Sequence, residues 1–264
     1  MKTAVFDHTG TITGIEKTSL RVAFDVALVE EGEAAYVAMI EQYGKTSGDV
    51  NSDAALIEVY MALARAGVTR DNLGTTVERC FGDGIIRADM LDVMVGLAGK
   101  GTEIYIVSKN PTAELNNLVE GIGEYSKKNS GPSEVIAGFI GVDLKFDDYG
   151  KIIGVNESIT DGNRTEWAGI PLANKANLVQ RLTKGSFHFV SDESDLAIAK
   201  MAVDSGKNAV LIRYPSISEA PQLERDIYFR RGDDYQKPTF ESKAYNNAVP
   251  FKKVKERLPI LLAA

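Results

Sequence analysis

The sequence predicts an α/β fold, a doubly wound parallel sheet with a helical cap inserted after its first strand. Three observations lead there. From Ile85 to Arg213, apolar strand-like runs alternate with helical patterns, the order that builds parallel strands joined by crossover helices. Residues 18–81 are helical in pattern and contain no convincing strand, although a strand precedes them. Three strand ends lead into Asp7, Ser108 and Asp192. The carboxyl ends of such strands share one edge, where this kind of fold places its sites.

Residues 1–6 form the first short apolar strand, which runs straight into Asp7-His8-Thr9-Gly10-Thr11-Ile12-Thr13. Thr18 or Ser19 can cap a helix carrying Leu20, Phe24, Ala27 and Leu28. Asp53 can cap a second, with Leu56, Ile57, Tyr60, Leu63 and Ala64, stopped by Gly67. A third starts near Thr69 and reaches Phe81; Gly82-Asp83-Gly84 is then the expected hinge. The block gives the expected division: a helical cap over residues 15–82, and a catalytic core over 1–14 and 83–264.

A helix over 85–98 ends at Gly99-Lys100-Gly101 and leads to a buried strand over 103–107. Pro111 suits the first position of the next helix, which runs through Gly123. Residues 127–132 read as a loop, Val135-Ile136 and Phe139-Ile140 as strand-like, and 144–153 as a hairpin turning at 148–150. A helix over 172–182 precedes a strand over 187–190. A helix over 194–203, with Gly206 at its end, precedes a strand over 208–213. Asp226-Ile-Tyr-Phe reads as a further strand and 251–262 as a closing helix.

Composition narrows the function. At 264 residues, 44% hydrophobic and 25% charged, the chain is an ordinary globular protein. Its net charge of −7 argues against nucleic acid or an anionic membrane as partner. Cys80 is the only cysteine, so no disulfide or cysteine-built metal site is expected, and its surroundings read as a packed helix. No run approaches the roughly eighteen apolar residues of a membrane span, and no leader precedes the first strand, so a cytoplasmic location is expected. The expected partner is a small phosphorylated metabolite.

The chemistry at the shared edge suits phosphoryl transfer. A carboxylate at a strand tip can attack phosphorus, so Asp7 is the candidate nucleophile. The amides of Thr9, Gly10 and Thr11 follow it and can face an anion. Asp192 can join Asp7 in holding Mg²⁺, a hard ion that takes carboxylates, a backbone carbonyl and waters. Glu193 and Asp195 can orient that site from behind. Ser108 offers a hydroxyl to a phosphate oxygen, and Lys175, heading the helix before the Asp192 strand, can reach the same edge. Each residue also has an ordinary reading: Ser108 and Asp192 as caps or loop polars, Asp195 as a first-turn acid, Lys175 as a solvated lysine. Their occurrence together, in the order Asp, Ser, Lys, Asp at strand and helix ends, favours a site.

In that order the chain resembles the haloacid dehalogenase superfamily of phosphatases and phosphotransferases. The marks are Phe6-Asp7-His8-Thr9-Gly10-Thr11, Ile106-Val107-Ser108, Lys175, and Phe189-Val190-Ser191-Asp192-Glu193-Ser194-Asp195. The helical cap, the hairpin-like stretch 143–155 and Glu16, nine residues past Asp7, make it similar to the phosphoserine-phosphatase-like branch. The resemblance implies Mg²⁺ as cofactor, with Asp7, Asp192 and the Thr9 position as ligands. It implies Asp7, Thr9 and Lys175 as the catalytic positions. It places Ser108, Lys109, Asn110, Gly10 and Thr11 around the phosphate, and Glu16 at the substrate's amino group.

The chain departs from that pattern at two points. Family phosphatases usually carry a second aspartate two residues after the nucleophile, which protonates the leaving group and then activates water; here it is Thr9. The string Asp-His-Thr-Gly-Thr-Ile-Thr is close to the Asp-Lys-Thr-Gly-Thr-Leu-Thr of P-type ATPases, whose aspartyl-phosphate persists until another domain triggers hydrolysis. Loss of a positioned acid/base costs about 10²–10⁴ in rate. His8 could replace it, but strand alternation turns His8 away from Asp7 and Thr9. His188, inside a strand, reads as structural. In the last motif Ser191 stands where the family has glycine, and Asp195 follows Asp192 by three residues, one fewer than usual. The expected function is a Mg²⁺-dependent phosphatase acting through phospho-Asp7, with slow dephosphorylation. The alternative is a degenerate relative that binds a phosphorylated ligand or partner without efficient catalysis.

Overall fold

A computed structural model describes residues 2–14, 19–46, 53–160, 175–183, 185–192, 195–213 and 245–263. Its centre is a seven-stranded sheet of order β4-β3-β2-β1-β5-β6-β7. The strands are β1 (Lys2–Asp7), β2 (Thr102–Pro111), β3 (Gly138–Phe146), β4 (Ile152–Thr160), β5 (His188–Ser191), β6 (Ala209–Arg213) and β7 (Asn247–Pro250). All pairings are parallel except β3 with β4, which form the expected hairpin. Asp147, at its turn, accepts the amides of Tyr149 and Lys151 on its carboxylate, at 2.9 and 2.8 Å.

Strand β1 is central and buried on both faces. Its odd and even residues divide between two cores, as the two-residue period of a strand requires. Ala4 and Phe6 join Ile104, Ile106, Met90, Leu118 and Leu258. Val5 joins Val107, Phe189, Leu178, Ile198 and Phe24. Burial of each large side chain contributes roughly 1.5–3 kcal/mol relative to exposure. The strand that presents Asp7 is thus held from both sides.

The helices before the second strand are α1 (Ser19–Leu28), α2 (Gly32–Thr46), α3 (Asp53–Arg65) and α4 (Arg70–Gly82). Three were expected; α2 is additional. Thr69 caps α4 through a reciprocal box with Asn72. The chain entering and leaving this block pairs with itself. Thr13 bridges Ile86, the Gly14 amide donates to Ile85 O at 3.1 Å, and the Arg87 amide to Ile12 O at 2.9 Å. This pairing uses the backbone of residues 85–87, so α5 starts at Ala88, not at the expected Ile85, and runs Ala88–Ala98.

The remaining helices are α6 (Thr112–Lys128), α7 (Lys175–Thr183), α8 (Leu196–Asp204) and α9 (Val254–Ala263). Pro111 is not the first residue of α6. It pairs with Val142 at the end of β2 with ψ 136°, and Thr112 opens the helix, which runs beyond Gly123. Val135 and Ile136 precede the sheet, and the strand begins at Gly138. The expected strand at 226–229 and residues 172–174 lie outside the described residues. Among the described residues no helix is long and apolar enough to cross a membrane.

Candidate active site

Four chain segments meet at the carboxyl edge of β1. The turn after Asp7 is wide: the Thr13 amide closes onto His8 O at 3.0 Å. Thr9 (φ −72°, ψ 129°) and Gly10 (φ 76°, ψ −2°) have the dihedrals of a type II turn, which calls for glycine at its second central position. A second constraint acts on Gly10. A Cβ there would lie 2.6 Å from Asp192 Cγ. The Asp192 carboxylate therefore rests directly on the turn that follows Asp7.

Strand β2 supplies the next residues through a bulge. Val107 pairs with Ile140 and Pro111 with Val142, so four steps on β2 face two on β3. The bulge lifts Ser108, Lys109 and Asn110 out of the ladder toward the β1 turn. Gly141 makes room for it, since a Cβ there would lie 3.0 Å from Asn110 O and 2.7 Å from Leu115 Cδ1. Ser108 donates to Asn110 Oδ1 at 2.7 Å and accepts the Asn110 amide at 3.0 Å. Thr9 donates to the same Oδ1 at 3.3 Å. The Lys109 carbonyl accepts the Tyr60 hydroxyl, from α3 of the helical block.

Lys175 opens α7 and is not a solvated lysine; it is 4% exposed. Its ammonium lies 3.7 Å from Asp7 Oδ1 and donates to Asp195 Oδ2 at 2.6 Å. Asp195 stands at the N-cap position of α8 but makes no side-chain cap bond. It serves Lys175 instead of its own helix.

The electrostatics follow from this packing. Burial pushes the Asp7 carboxyl well above the usual carboxylate range; Lys175 opposes the shift, Asp195 and Asp192 add to it, and the His8 amide opposes it. Burial works against the Lys175 charge, yet Asp195, Asp7 and Asp192 together raise its pKa. Lys175 thus stays an ammonium. Three carboxylates face it, and uncompensated buried charge is costly. A divalent cation supplies what such a cluster lacks, so the donor set fits Mg²⁺. The carriers would be Asp7, Asp192 and the Thr9 carbonyl: two carboxylates and a backbone oxygen. Among the described residues no cluster of three or more His, Cys, Asp or Glu side chains forms a metal site on its own.

His8 is buried, and burial lowers its pKa to about 4, a hydrogen bond to the Asn110 side chain partly opposing this. It is neutral at pH 7. His188 accepts the Asn208 amide at 3.2 Å inside β5, the structural role expected of it. Thr11 is fully buried. Glu16 and Glu193 lie outside the described residues. Four participants were not foreseen: Tyr60, Ser19, Glu114 and Tyr245. Tyr245, just before β7, has its pKa raised by burial, with Ser191 opposing and Asp192, Asp195 and Asp7 adding to the shift. Its hydroxyl is buried. No local pattern marks these residues: Tyr60, Ser19 and Tyr245 reach the site from distant segments, and Glu114, four residues past Asn110, reads as an ordinary first-turn acid of α6.

A parallel sheet carrying the Asp7 turn, the β2 bulge and the Lys175 helix on one edge, with a helical block after the first strand, is the fold that the resemblance to the haloacid dehalogenase superfamily implies. Solved structures share it. A phosphoserine phosphatase in apo form superposes with a TM-score of 0.55 at 13% identity, over 97% of this chain and 98% of that one. A phosphoserine phosphatase solved as a phospho-aspartyl intermediate analogue gives 0.52 at 12% identity, over 96% of each chain. A phosphoserine phosphohydrolase-like protein from Francisella tularensis subsp. tularensis SCHU S4 gives 0.52 at 15% identity, over 81% and 88%. No protein-family model matches the sequence, and no curated protein matches it.

Proposed function

We propose that this protein is a Mg²⁺-dependent phosphatase that acts on a small phosphorylated metabolite through an aspartyl-phosphate on Asp7. The observation that carries this reading is the buried Asp7–Lys175–Asp195 chain, at 3.7 and 2.6 Å. A binding module has no need of a buried carboxylate held beside a buried ammonium. The similar structures, phosphoserine phosphatases in apo and phospho-aspartyl-analogue forms, support it.

In this reading a carboxylate oxygen of Asp7 attacks phosphorus as the bond to the leaving oxygen breaks. Water then attacks the same phosphorus, and the bond to Asp7 breaks to release phosphate. Lys175 favours the ionised form of Asp7 against the burial that raises its pKa, and neutralises a phosphoryl oxygen. Ser108 turns its hydroxyl from Asn110 to a second oxygen. Asp7, Asp192 and the Thr9 carbonyl would hold Mg²⁺, which would supply charge neutralisation at the phosphoryl group. Residues 15–82 form the cap that selects substrate over a core of 1–14 and 83–264, with Glu16 the candidate contact for an amino group.

Thr9 sets the pace. A threonine hydroxyl does not ionise near neutral pH, and here it donates to Asn110. Leaving groups that need no proton, such as acyl phosphates and aryl phosphates, are favoured, and the phosphoenzyme is long-lived. The test is phosphate release from an aryl phosphate with and without Mg²⁺. Release by the wild type that needs Mg²⁺ and vanishes in Asp7→Asn supports the mechanism; full activity in Asp7→Asn ends it. Thr9 in the acid's place also favours the second reading, a ligand-binding relative without efficient turnover, for which a Mg²⁺-dependent wild-type rate is the contrary result.

A further inference from the structure

Glu114 is a buried acid on α6 that the mechanism above does not use. It is 2% exposed, on a helix that otherwise buries Leu115, Leu118 and Ile122. Burial raises its pKa to about 7, opposed by hydrogen bonds from Ser19 and Asn110. An apolar residue would pack there without that cost.

We propose that Glu114 is a positioning residue: its carboxylate fixes the side-chain amide of Asn110, and that amide orients the Thr9 and Ser108 hydroxyls beside Asp7. The inference rests on the phosphatase reading of the site. A primary amide has two ends of nearly equal shape and opposite hydrogen-bonding character. Asn110 Nδ2 donates to Glu114 Oε1 and to Ser19 Oγ, each at 2.9 Å. Above a pH of about 7 Glu114 is ionised and has no proton to give, so only the NH₂ end fits against it, with Ser19 Oγ as the second acceptor on that side. Oδ1 must then face the other way, where it accepts Ser108 at 2.7 Å and Thr9 at 3.3 Å. Reversal would set oxygen against oxygen at Glu114. The acceptor that holds Thr9 in place is therefore chosen one residue further back. Ser19 opens α1, so the same network also fixes where the helical block begins relative to β2.

The test is a double-mutant cycle on aryl phosphate hydrolysis with Mg²⁺, comparing Glu114→Ala, Asn110→Ala and the double variant, with Glu114→Gln as the conservative control. Loss of the acceptor is expected to lower kcat about tenfold or more with KM near its wild-type value. Glu114→Gln, which keeps an acceptor oxygen, restores most of the rate. Because Glu114 acts through Asn110, the double variant is no slower than Asn110→Ala. Wild-type kcat in Glu114→Ala, or a double variant slower by the product of the two single losses, overturns the proposal. If Glu114→Ala does not fold, Glu114→Met, which keeps bulk without the acceptor, takes its place.

A second readout is independent of turnover. In proton–nitrogen NMR the Asn110 NH₂ pair should give two separate, slowly exchanging signals in the wild type and in Glu114→Gln. In Glu114→Ala the pair should lose protection and exchange with water several-fold faster, and an unchanged exchange rate overturns the positioning role. A wild type that releases no phosphate defeats the phosphatase reading, and this measurement still decides on Glu114.

Discussion

The two flanks of β1 solve different problems. On the β2 side, Ser108, Asn110, Ser19, Glu114 and Thr9 form a network of hydrogen bonds whose donors and acceptors largely satisfy one another. On the β5 side, Asp7, Asp192 and Asp195 crowd around the single ammonium of Lys175. The first flank is complete by itself and orients. The second carries excess negative charge and is built to receive something positive. Asp7, the proposed nucleophile, lies on the seam: hydrogen-bond geometry comes from one side and charge from the other.

If that division holds, breaking the β5 side costs most. Lys175→Ala is expected to lower turnover by about 10²–10³ and, by leaving buried carboxylates without their partner, to destabilise the fold by about 3–5 kcal/mol. Steady-state rates and urea melts of one preparation read both. A mutant with normal kcat would move Lys175 out of the reaction.

Thr9→Asp sharpens the comparison by adding an acid on the seam. It should raise turnover of poor leaving groups, within the 10²–10⁴ range of a positioned acid/base, and speed release of phosphate from the enzyme. Aryl and alkyl phosphates compared side by side measure this. An unchanged alkyl rate in a folded mutant would count against the role given to Thr9.

The β2 side should show itself in stability. Glu114 has a folded-state pKa of about 7 against an ordinary value of 4.5. Between those values the folded protein keeps a proton that the unfolded chain has released, so Glu114 makes stability fall as pH rises through that window. Glu114→Gln removes the effect. At pH 8 it should gain up to about 3 kcal/mol over wild type, and at pH 4 almost nothing. Chemical melts at the two pH values check this; equal differences at both would place the proton elsewhere.

Gly10→Ala costs about 1–2 kcal/mol for the left-handed conformation, with the displacement of Asp192 added to it. Because its methyl also meets Asp192, the Mg²⁺ concentration at half activity should rise. A change in stability without a change in Mg²⁺ requirement would separate Asp192 from the metal.

Much of this was legible in the chain, and the exceptions have physical causes. Strands β1, β2, β5 and β6 announce themselves because each is buried on both faces and reads as a continuous apolar run. Strand β7 does not: Asn247-Ala-Val-Pro250 is four residues at a sheet edge, where proline is tolerated because one row of backbone groups is unpaired. Helix α2 hides because its apolar residues from Ala34 to Ile40 run together, so no 3.6-residue stripe stands out. Asp7, Lys175 and Asp192 were visible because each stands at a strand end or opens a helix, and Ser108 because the apolar run of β2 stops just before it. Asn110 was visible only as a phosphate candidate. Its partners Ser19 and Glu114 lie 91 and 4 residues away, and only the bulge in β2 brings them to one amide. Charge placed by strand ends can be read along a sequence; an oriented amide depends on side chains meeting from several elements.

The central claim is that Asp7 takes up the phosphoryl group. Beryllium fluoride added with Mg²⁺ mimics an acyl phosphate on a nucleophilic carboxylate, and fluorine NMR reports it directly. The wild type should show bound fluoride signals that require Mg²⁺ and are absent in Asp7→Asn. The same signals in Asp7→Asn, or none in a folded wild type, would contradict the account.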